Sequence, residues 1–542
     1  MRWKWESLRK AIFKGFDDKP ILHLIGGKND ISHRAFNRLF LRRFNNEEIR
    51  KMIAPSLSDF KRLASQGNLI PIFDEIHFDW ETPISAFRKI DNGECSFLLE
   101  SVEGGEKWGR YSFLGSGSSL LFRSKGQEFE ILKNGEVLRK GKTKDPLLAL
   151  QELMGCYHPV VGDGLPRFSG GAVGYVSYDV VRSFEKIPEE LQQDIDLYDC
   201  SFMITDVLLA FDNLRKKIKI IFNLFLDGRQ SLEEAYQEAQ KKIKSIIAKL
   251  QRHHPLPGRE SFSPCSLRSN FSKEDYMKVV EKAKEYIRGG DIIQVVPSQR
   301  FSTKVHCEPF DIYRALRSID PSPYLFYLKM NDMVLMGSSP EVMVRLEGKQ
   351  VELRPIAGTR RRGKTQEEDL ALEKDLLADE KEKAEHIMLV DLGRNDVGRI
   401  SEVGSVKVTE LMTVERYSHV MHIVSNVQGV LAPGKNAFDV FRATFPAGTV
   451  SGAPKIRAME IIEELEPFRR GFYAGAVGYF SFLGNMDTCI TIRSILIKDG
   501  KAYVQAGGGV VADSDPEKEY EETLHKARAI FKAIQMAEEG LR

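Results

Sequence analysis

Two nearly matching strings constrain the fold more than any other feature of this chain: Gly170-Gly171-Ala172-Val173-Gly174-Tyr175-Val176-Ser177-Tyr178 and Ala474-Gly475-Ala476-Val477-Gly478-Tyr479-Phe480-Ser481-Phe482. Each reads as a strand, and each carries glycine at corresponding places. Glycine inside a strand weakens it, so its presence implies that another backbone comes close or that the strand bulges. One string lies in each half of the chain, which points to a distant structural duplication.

Around these strings the pattern mixes strand runs and helical runs without strict alternation, which predicts an α+β fold. Residues 96–100, 111–114 and 119–122 read as short strands, and Val207 to Phe211 and Ile218 to Phe225 as a pair flanking the turn at Asp212-Asn213. Leu232, Tyr236, Ala239, Ile243, Ile246 and Leu250 mark one face of a helix. Three further helices are expected over 272–288, 366–392 and 516–538, with a short one after a polar cap near Ser58. At 542 residues the chain exceeds one ordinary core. The Pro- and Ser-containing stretch 252–269 has linker chemistry, so the reading divides the chain into 52–251 and 270–542.

Residues 1–51 stand apart, with 13 Lys/Arg against 6 Asp/Glu and interleaved aromatics such as Trp3, Trp5, Phe13 and Phe36. Two readings stay open for them: a basic amphipathic extension that touches a membrane or partner, or a disordered or mis-assigned start with the ordered protein opening at Met52. A secretory signal does not fit, for want of an apolar core and a small-residue cleavage site. Net charge over the whole chain is only +2, so nothing electrostatic calls for a nucleic acid. No apolar run is long enough to span a bilayer. Six scattered cysteines show no C-x-x-C pair and suit a reducing cytoplasm.

Two pairs of carboxylates stand out. Glu382 and Glu385 lie three apart on one expected helix, and Glu519 and Glu522 on another, so each pair can point at one spot. Convergent carboxylates suit a hard cation such as Mg²⁺, although an E-x-x-E on a solvated helix face is common and the spacing alone settles nothing. The run Pro355 to Gly363, with Arg360, Arg361 and Arg362, reads as a loop able to hold an anion. Pro446 to Lys455 ends a strand-like run and opens a helix, where free N–H donors suit a carboxylate. Gly507-Gly508-Gly509 precedes the Glu519 helix in the same manner. The residues alone say "small polyanion, with or without Mg²⁺", and surface loops would explain each run equally well.

Taken in order, these segments resemble the chorismate-utilising enzyme family. The strings that carry the resemblance are Gly290 to Ser298, Pro321 to Tyr324, Gly337 to Glu341, Pro355 to Arg360, Glu385 to Asp396, Val420 to Ser425, Pro446 to Lys455 and Gln505 to Gly509. It covers the chain from Pro55 onward. The resemblance implies large, mostly antiparallel sheets packed together with helices outside. It implies Mg²⁺ held by Glu385 and Glu522, helped by Glu382 and Glu519, against the ring carboxylate of chorismate. Arg493 and Lys526 would hold the substrate's carboxylates, assisted by Tyr473, Thr449 and the backbone at Gly358, Gly508 and Gly509, while Thr359 and Gln294 would count among the catalytic residues. Glu341 would protonate the departing C4 hydroxyl, and His422 would sit beside the ring.

Two positions mark the branch. Water-adding members resemble one another in a Lys where this chain has Gln294, and glutamine cannot act as a base, which suits ammonia as nucleophile. The branch making 4-amino-4-deoxychorismate carries a ring-attacking Lys where this chain has Ala357. The resemblance therefore implies amination at C2 and pyruvate loss to give anthranilate, a lyase reaction. The segment 52–251 would be regulatory and 270–542 catalytic. Leu98-Leu99-Glu100-Ser101, with Pro323, Tyr324 and Leu325, resembles a tryptophan feedback site; Asp320 and Leu325 depart from the usual residues. With no Gly-x-Cys-x-Gly setting, a separate glutamine amidotransferase subunit would supply ammonia, in a heteromer of two copies of each. The rival readings are an aminodeoxychorismate-forming enzyme and a non-catalytic tryptophan-sensing subunit.

Overall fold

The structure, a computed structural model, describes residues 53–78, 81–101, 109–118, 120–252, 262, 267–417 and 420–541. The basic extension 1–51 and most of the expected linker lie outside the described residues.

Among the described residues two large sheets dominate. An 11-stranded sheet runs from edge to edge through Leu69–His77, Lys217–Phe225, Val207–Asp212, Tyr111–Ser116, Cys95–Glu100, Tyr324–Met330, Met333–Ser339, Ser494–Lys498, Lys501–Gly507, Ser298–Lys304 and Arg268–Ser269. A 12-stranded sheet runs from Ile356–Arg361 through Val420–Val430, Gln350–Leu353, Val342–Glu347, Met486–Ile490, Ala476–Ser481, Gly171–Val176, Cys200–Ile204, Leu120–Lys125 and Glu128–Lys133 to Glu136–Lys142. Its remaining strand, Lys407–Arg416, pairs with Val420–Val430. All these strand pairings are antiparallel, as expected. Their alternating side chains sort the core. Phe97, Phe113, Phe326 and Leu328 from the first sheet join Val173, Phe202, Val477 and Phe480 from the second in one cluster. Leu98, Leu114, Leu325 and Tyr327, on the other face of the first sheet, pack with Ile243, Tyr313, Leu316, Ile530 and Ile534 from the helices Leu232–Leu250, Pro309–Ile319 and Pro516–Glu538.

The two echoing strings are neighbours. Gly171–Val176 pairs antiparallel with Ala476–Ser481, and Gly174 faces Gly478. A Cβ on Gly174 would lie 1.9 Å from the Ser201 carbonyl oxygen, and one on Gly478 would lie 2.1 Å from that of Asp487. Only glycine allows these approaches, as the sequence suggested.

Four expectations change. The stretch 252–269 does not separate two cores: Ile53–Arg542 is one compact unit, and both sheets draw strands from both sides of it. The strands Lys217–Phe225 before it and Arg268–Ser269 at its end belong to the same 11-stranded sheet. The helix expected over 366–392 is two helices, Gln366–Ala378 and Glu380–Gly398, broken at Asp379. Asp379 leaves the helical region (ψ 108°), and its carboxylate accepts from the N–H groups of Lys381 and Glu382 as an N-cap. Finally, Pro355 to Gly363 is mostly the strand Ile356–Arg361, bulged at Gly358 (φ +68°), and the run before Pro446 is the helix Ala437–Thr444.

Candidate active site

The break at Asp379 sets up the site, because it puts Glu382 and Glu385 in the first two turns of their helix. Arg360, expected to grip an anion, is instead spread over this helix junction. Its Nε donates to Asp375 (2.7 Å), Nη2 to Asp379 (2.8 Å) and Nη1 to Glu382 (3.2 Å). Arg361 and Arg362 are likewise committed, to Glu368 (2.6 Å) and Asp369 (2.9 Å). A strand beside an acidic helix spends its guanidiniums on the helix, and sequence spacing carries no sign of that.

Glu385 is pushed upward from the ordinary carboxylate range by burial, an effect reinforced by Glu382 and Glu522 and opposed by the amide of Gln294. Gln294 Nε2 donates to Glu385 Oε1 at 2.9 Å, leaving the Gln294 carbonyl oxygen buried and without a protein partner. Glu519 is also raised by burial and by Glu522, and its Oε2 is buried and unpartnered. The strand Lys501–Gly507 ends against these groups. A Cβ on Gly508 would lie 2.8 Å from Glu519 Oε2, and one on Gly509 would lie 2.5 Å from Gln294 Nε2. Glu522 thus acts on both Glu385 and Glu519, although among the described residues no three acidic, His or Cys side chains already stand as a metal centre. Of their oxygens Glu519 Oε2 is buried with no donor, which is costly, and an oxygen of this kind has the chemistry of a ligand to a hard divalent cation.

Lys526 is the common neighbour. Its ammonium pairs with Glu522 (2.7 Å), donates to the Gly507 carbonyl (3.0 Å), and its charge reaches Glu341, Glu385 and Glu519. Arg493 Nη1 donates to the Lys526 carbonyl (3.1 Å), and the Tyr473 phenol lies against Gly507. Glu341 is buried, and burial pushes it up to about 8, with Thr449 and then Lys526 pulling the other way. It is a protonated acid at neutral pH. His422 Nδ1 lies 3.1 Å from the Gly358 carbonyl and 3.0 Å from Thr359 Oγ1. A carbonyl can only accept, so Nδ1 carries the proton and Nε2 keeps its lone pair. Burial lowers the His422 pKa, which keeps the ring neutral.

The residues expected to bind tryptophan surround a small cavity, of about 50 Å³, between the sheets. It is lined by Leu99, Glu100, Ser101, Pro323, Tyr324 and Leu325 and by aromatic side chains. Glu100, however, shares the strand face of Leu98. Its carboxylate accepts from Tyr313 (2.8 Å) and Arg317 (3.0 and 3.2 Å) on the far side of the sheet, so it offers the cavity its backbone. The charged groups at the cavity are ones the sequence reading missed: Asp487, which accepts from Tyr324 Oη (2.9 Å), and Arg167, which pairs with Asp487 (3.3 Å). Asp487 was visible as one acid inside the apolar strand Met486–Ile490; Arg167 gave no signal.

Residues 97–532 match the model of a family described as chorismate binding enzymes, and the chain belongs to that family. Within it, the chain is 51% identical over 501 residues to anthranilate synthase component 1 of Acetivibrio thermocellus, covering 90% of this chain and 100% of that one. It is 51% identical over 491 residues to anthranilate synthase component 1 of Aquifex aeolicus, with 90% and 98% covered. Among solved structures it is similar to anthranilate synthase component I of Streptococcus pneumoniae, at 39% identity and TM-score 0.70, over 84% of this chain and 98% of that one. An isochorismate synthase of Escherichia coli, at 20% identity and TM-score 0.65 over 88% and 99%, shares the fold.

Proposed function

We propose that this chain is the chorismate-binding component of an anthranilate synthase, which aminates chorismate with ammonia and eliminates pyruvate. The arrangement that carries the reading is a buried acid, Glu341, near the same Lys526 charge as Glu385, which holds the non-basic amide of Gln294. Its relatives' names point the same way.

Ammonia adds to C2 of the ring while the double bonds shift and the C4 hydroxyl departs as water, taking its proton from Glu341. Gln294, fixed by Glu385, presents its unpartnered carbonyl oxygen as an acceptor for an ammonia N–H. In the second step the C2 proton is lost and the C3 enolpyruvyl group leaves as pyruvate, which makes the ring aromatic. His422, with Nδ1 fixed on Gly358, has Nε2 free to take a proton. Arg493, Lys526, Thr449 and Tyr473 orient the carboxylates of the substrate. Glu385, Glu519 and Glu522, with Glu382 beside them, would hold Mg²⁺, which when bound supplies positive charge against the ring carboxylate.

A glutamine amidotransferase partner supplies the ammonia, since the chain carries no cysteine set as a glutamine-cleaving nucleophile. Tryptophan is the ligand of the cavity between the sheets, where aromatic walls suit an indole. Among the described residues no helix is long and apolar enough to cross a membrane, and the described cysteines are unpaired, as suits a cytoplasmic enzyme. The test is anthranilate fluorescence from the purified chain with chorismate, Mg²⁺ and an ammonium salt at mildly alkaline pH. The signal should rise, vanish with chelator, fall with tryptophan, and be absent with glutamine alone. Chorismate consumed without anthranilate would overturn the assignment.

A further inference from the structure

The turn between the helix Lys455–Leu465 and the strand Ala476–Ser481 carries Glu466 and Arg470, which are 4% and 1% exposed. A guanidinium so deeply buried must find acceptors for its donors. Arg470 Nε donates to Glu466 (3.1 Å to Oε2) and Nη2 to Glu466 Oε1 (2.6 Å). The other two bonds leave the ion pair: Nη1 donates to the Val450 carbonyl (2.7 Å) and Nη2 to the Val296 carbonyl (2.6 Å). The guanidinium carbon Cζ lies 4.8 Å from the Tyr178 ring centre and 5.5 Å from that of Tyr473. Glu466 Oε1 in turn accepts from the N–H (2.9 Å) and hydroxyl (2.7 Å) of Ser298.

These acceptors are not scattered. Val450 follows Thr449, Val296 lies two residues after Gln294, and Tyr473 is itself a proposed substrate contact. One rigid fork therefore spans three segments that are distant in sequence and that each bring one group to the cleft. We propose that Arg470, clamped by Glu466, is a positioning residue that sets Gln294, Thr449 and Tyr473 at their mutual spacing; this rests on the roles given above to those three. A planar guanidinium fixes two carbonyls at a set separation, whereas an ammonium is a point donor and does not.

The test is Arg470→Lys in the full chain, which keeps the buried charge and loses the fork. With ammonium as nitrogen donor, kcat and the KM values for chorismate and ammonium are measured per folded molecule, beside Tm and near-UV dichroism. A kcat about 100-fold lower, with a raised KM for ammonium in folded protein, is the expected result, since small misplacements at a reacting centre have effects of that order. Constants within about twofold of wild type per folded molecule, with only Tm reduced, would show a purely structural pair and overturn the role. Should the lysine variant not fold, Ser298→Ala removes one anchor of Glu466, and the acceptor of Gln505 Nε2, while keeping both members of the buried ion pair. A several-fold rise in KM for ammonium supports the role, and unchanged constants overturn it. Wild-type protein that makes no anthranilate sinks the reading of the site and this inference with it.

Discussion

A carboxylic acid that must give a proton near neutral pH has to be kept from losing it first, and burial of Glu341 does this. Because its folded pKa is raised to about 8, the donor form is present below that pH and is lost as the pH rises through it. The turnover rate should therefore show an alkaline limb near pH 8. Glu341→Gln should lower kcat about 10²- to 10⁴-fold, the usual contribution of a general acid. The residual rate should lack that limb; a variant that keeps it would assign the limb to another group. At this scale the sequence was informative where residues sit in contiguous strings: it singled out Glu341, Gln294, Glu385 and the glycines at 507–509, and the structure gathers these around Lys526. It was silent wherever a side chain's partner is chosen by tertiary placement. Arg360 is turned onto an acidic helix and Glu100 onto Arg317, and neither direction is written in the neighbouring residues.

At the scale of the element, the junction at Asp379 deserves its own test. Helical spacing runs unbroken from Gln366 to Leu392 in the sequence, so periodicity alone predicts one helix. The break arises because Asp379 prefers to cap, and because Arg360 holds Asp375, Asp379 and Glu382 together across it. Asp379→Ala should cost about 1 kcal/mol in stability, as loss of a cap does. More tellingly, it should raise the Mg²⁺ concentration needed for half-maximal rate, since the cap fixes the turn that carries Glu382. An unchanged Mg²⁺ requirement, in protein with the expected small loss of Tm, would show that the helix start is positioned from elsewhere.

At the scale of the molecule the two sheets are woven from both halves of the chain. The glycine strings gave this away in part, since they predicted close backbone approach, and Gly174 does face Gly478. The division at 252–269 failed because composition reports local solvation, whereas domain identity depends on which strands pair, and Cys95–Glu100 pairs with Tyr324–Met330. Fragments 53–251 and 270–542 expressed separately should thus be insoluble or unfolded. Coexpression should restore them in part. An independently folded, soluble 270–542 would show that the shared sheets are not needed for stability.

The weave also has a consequence in time. The edge of Cys95–Glu100 finds its partner only after about 220 further residues are made, and Gly171–Val176 after about 300. At roughly 5–20 residues per second, each apolar strand leaves the ribosome some tens of seconds before its neighbour exists. The nascent chain therefore spends most of its synthesis with open strand edges, the state most prone to pair with a stranger. The yield of this protein in a cell is set as much by what shields that half-made chain as by the stability of the finished one.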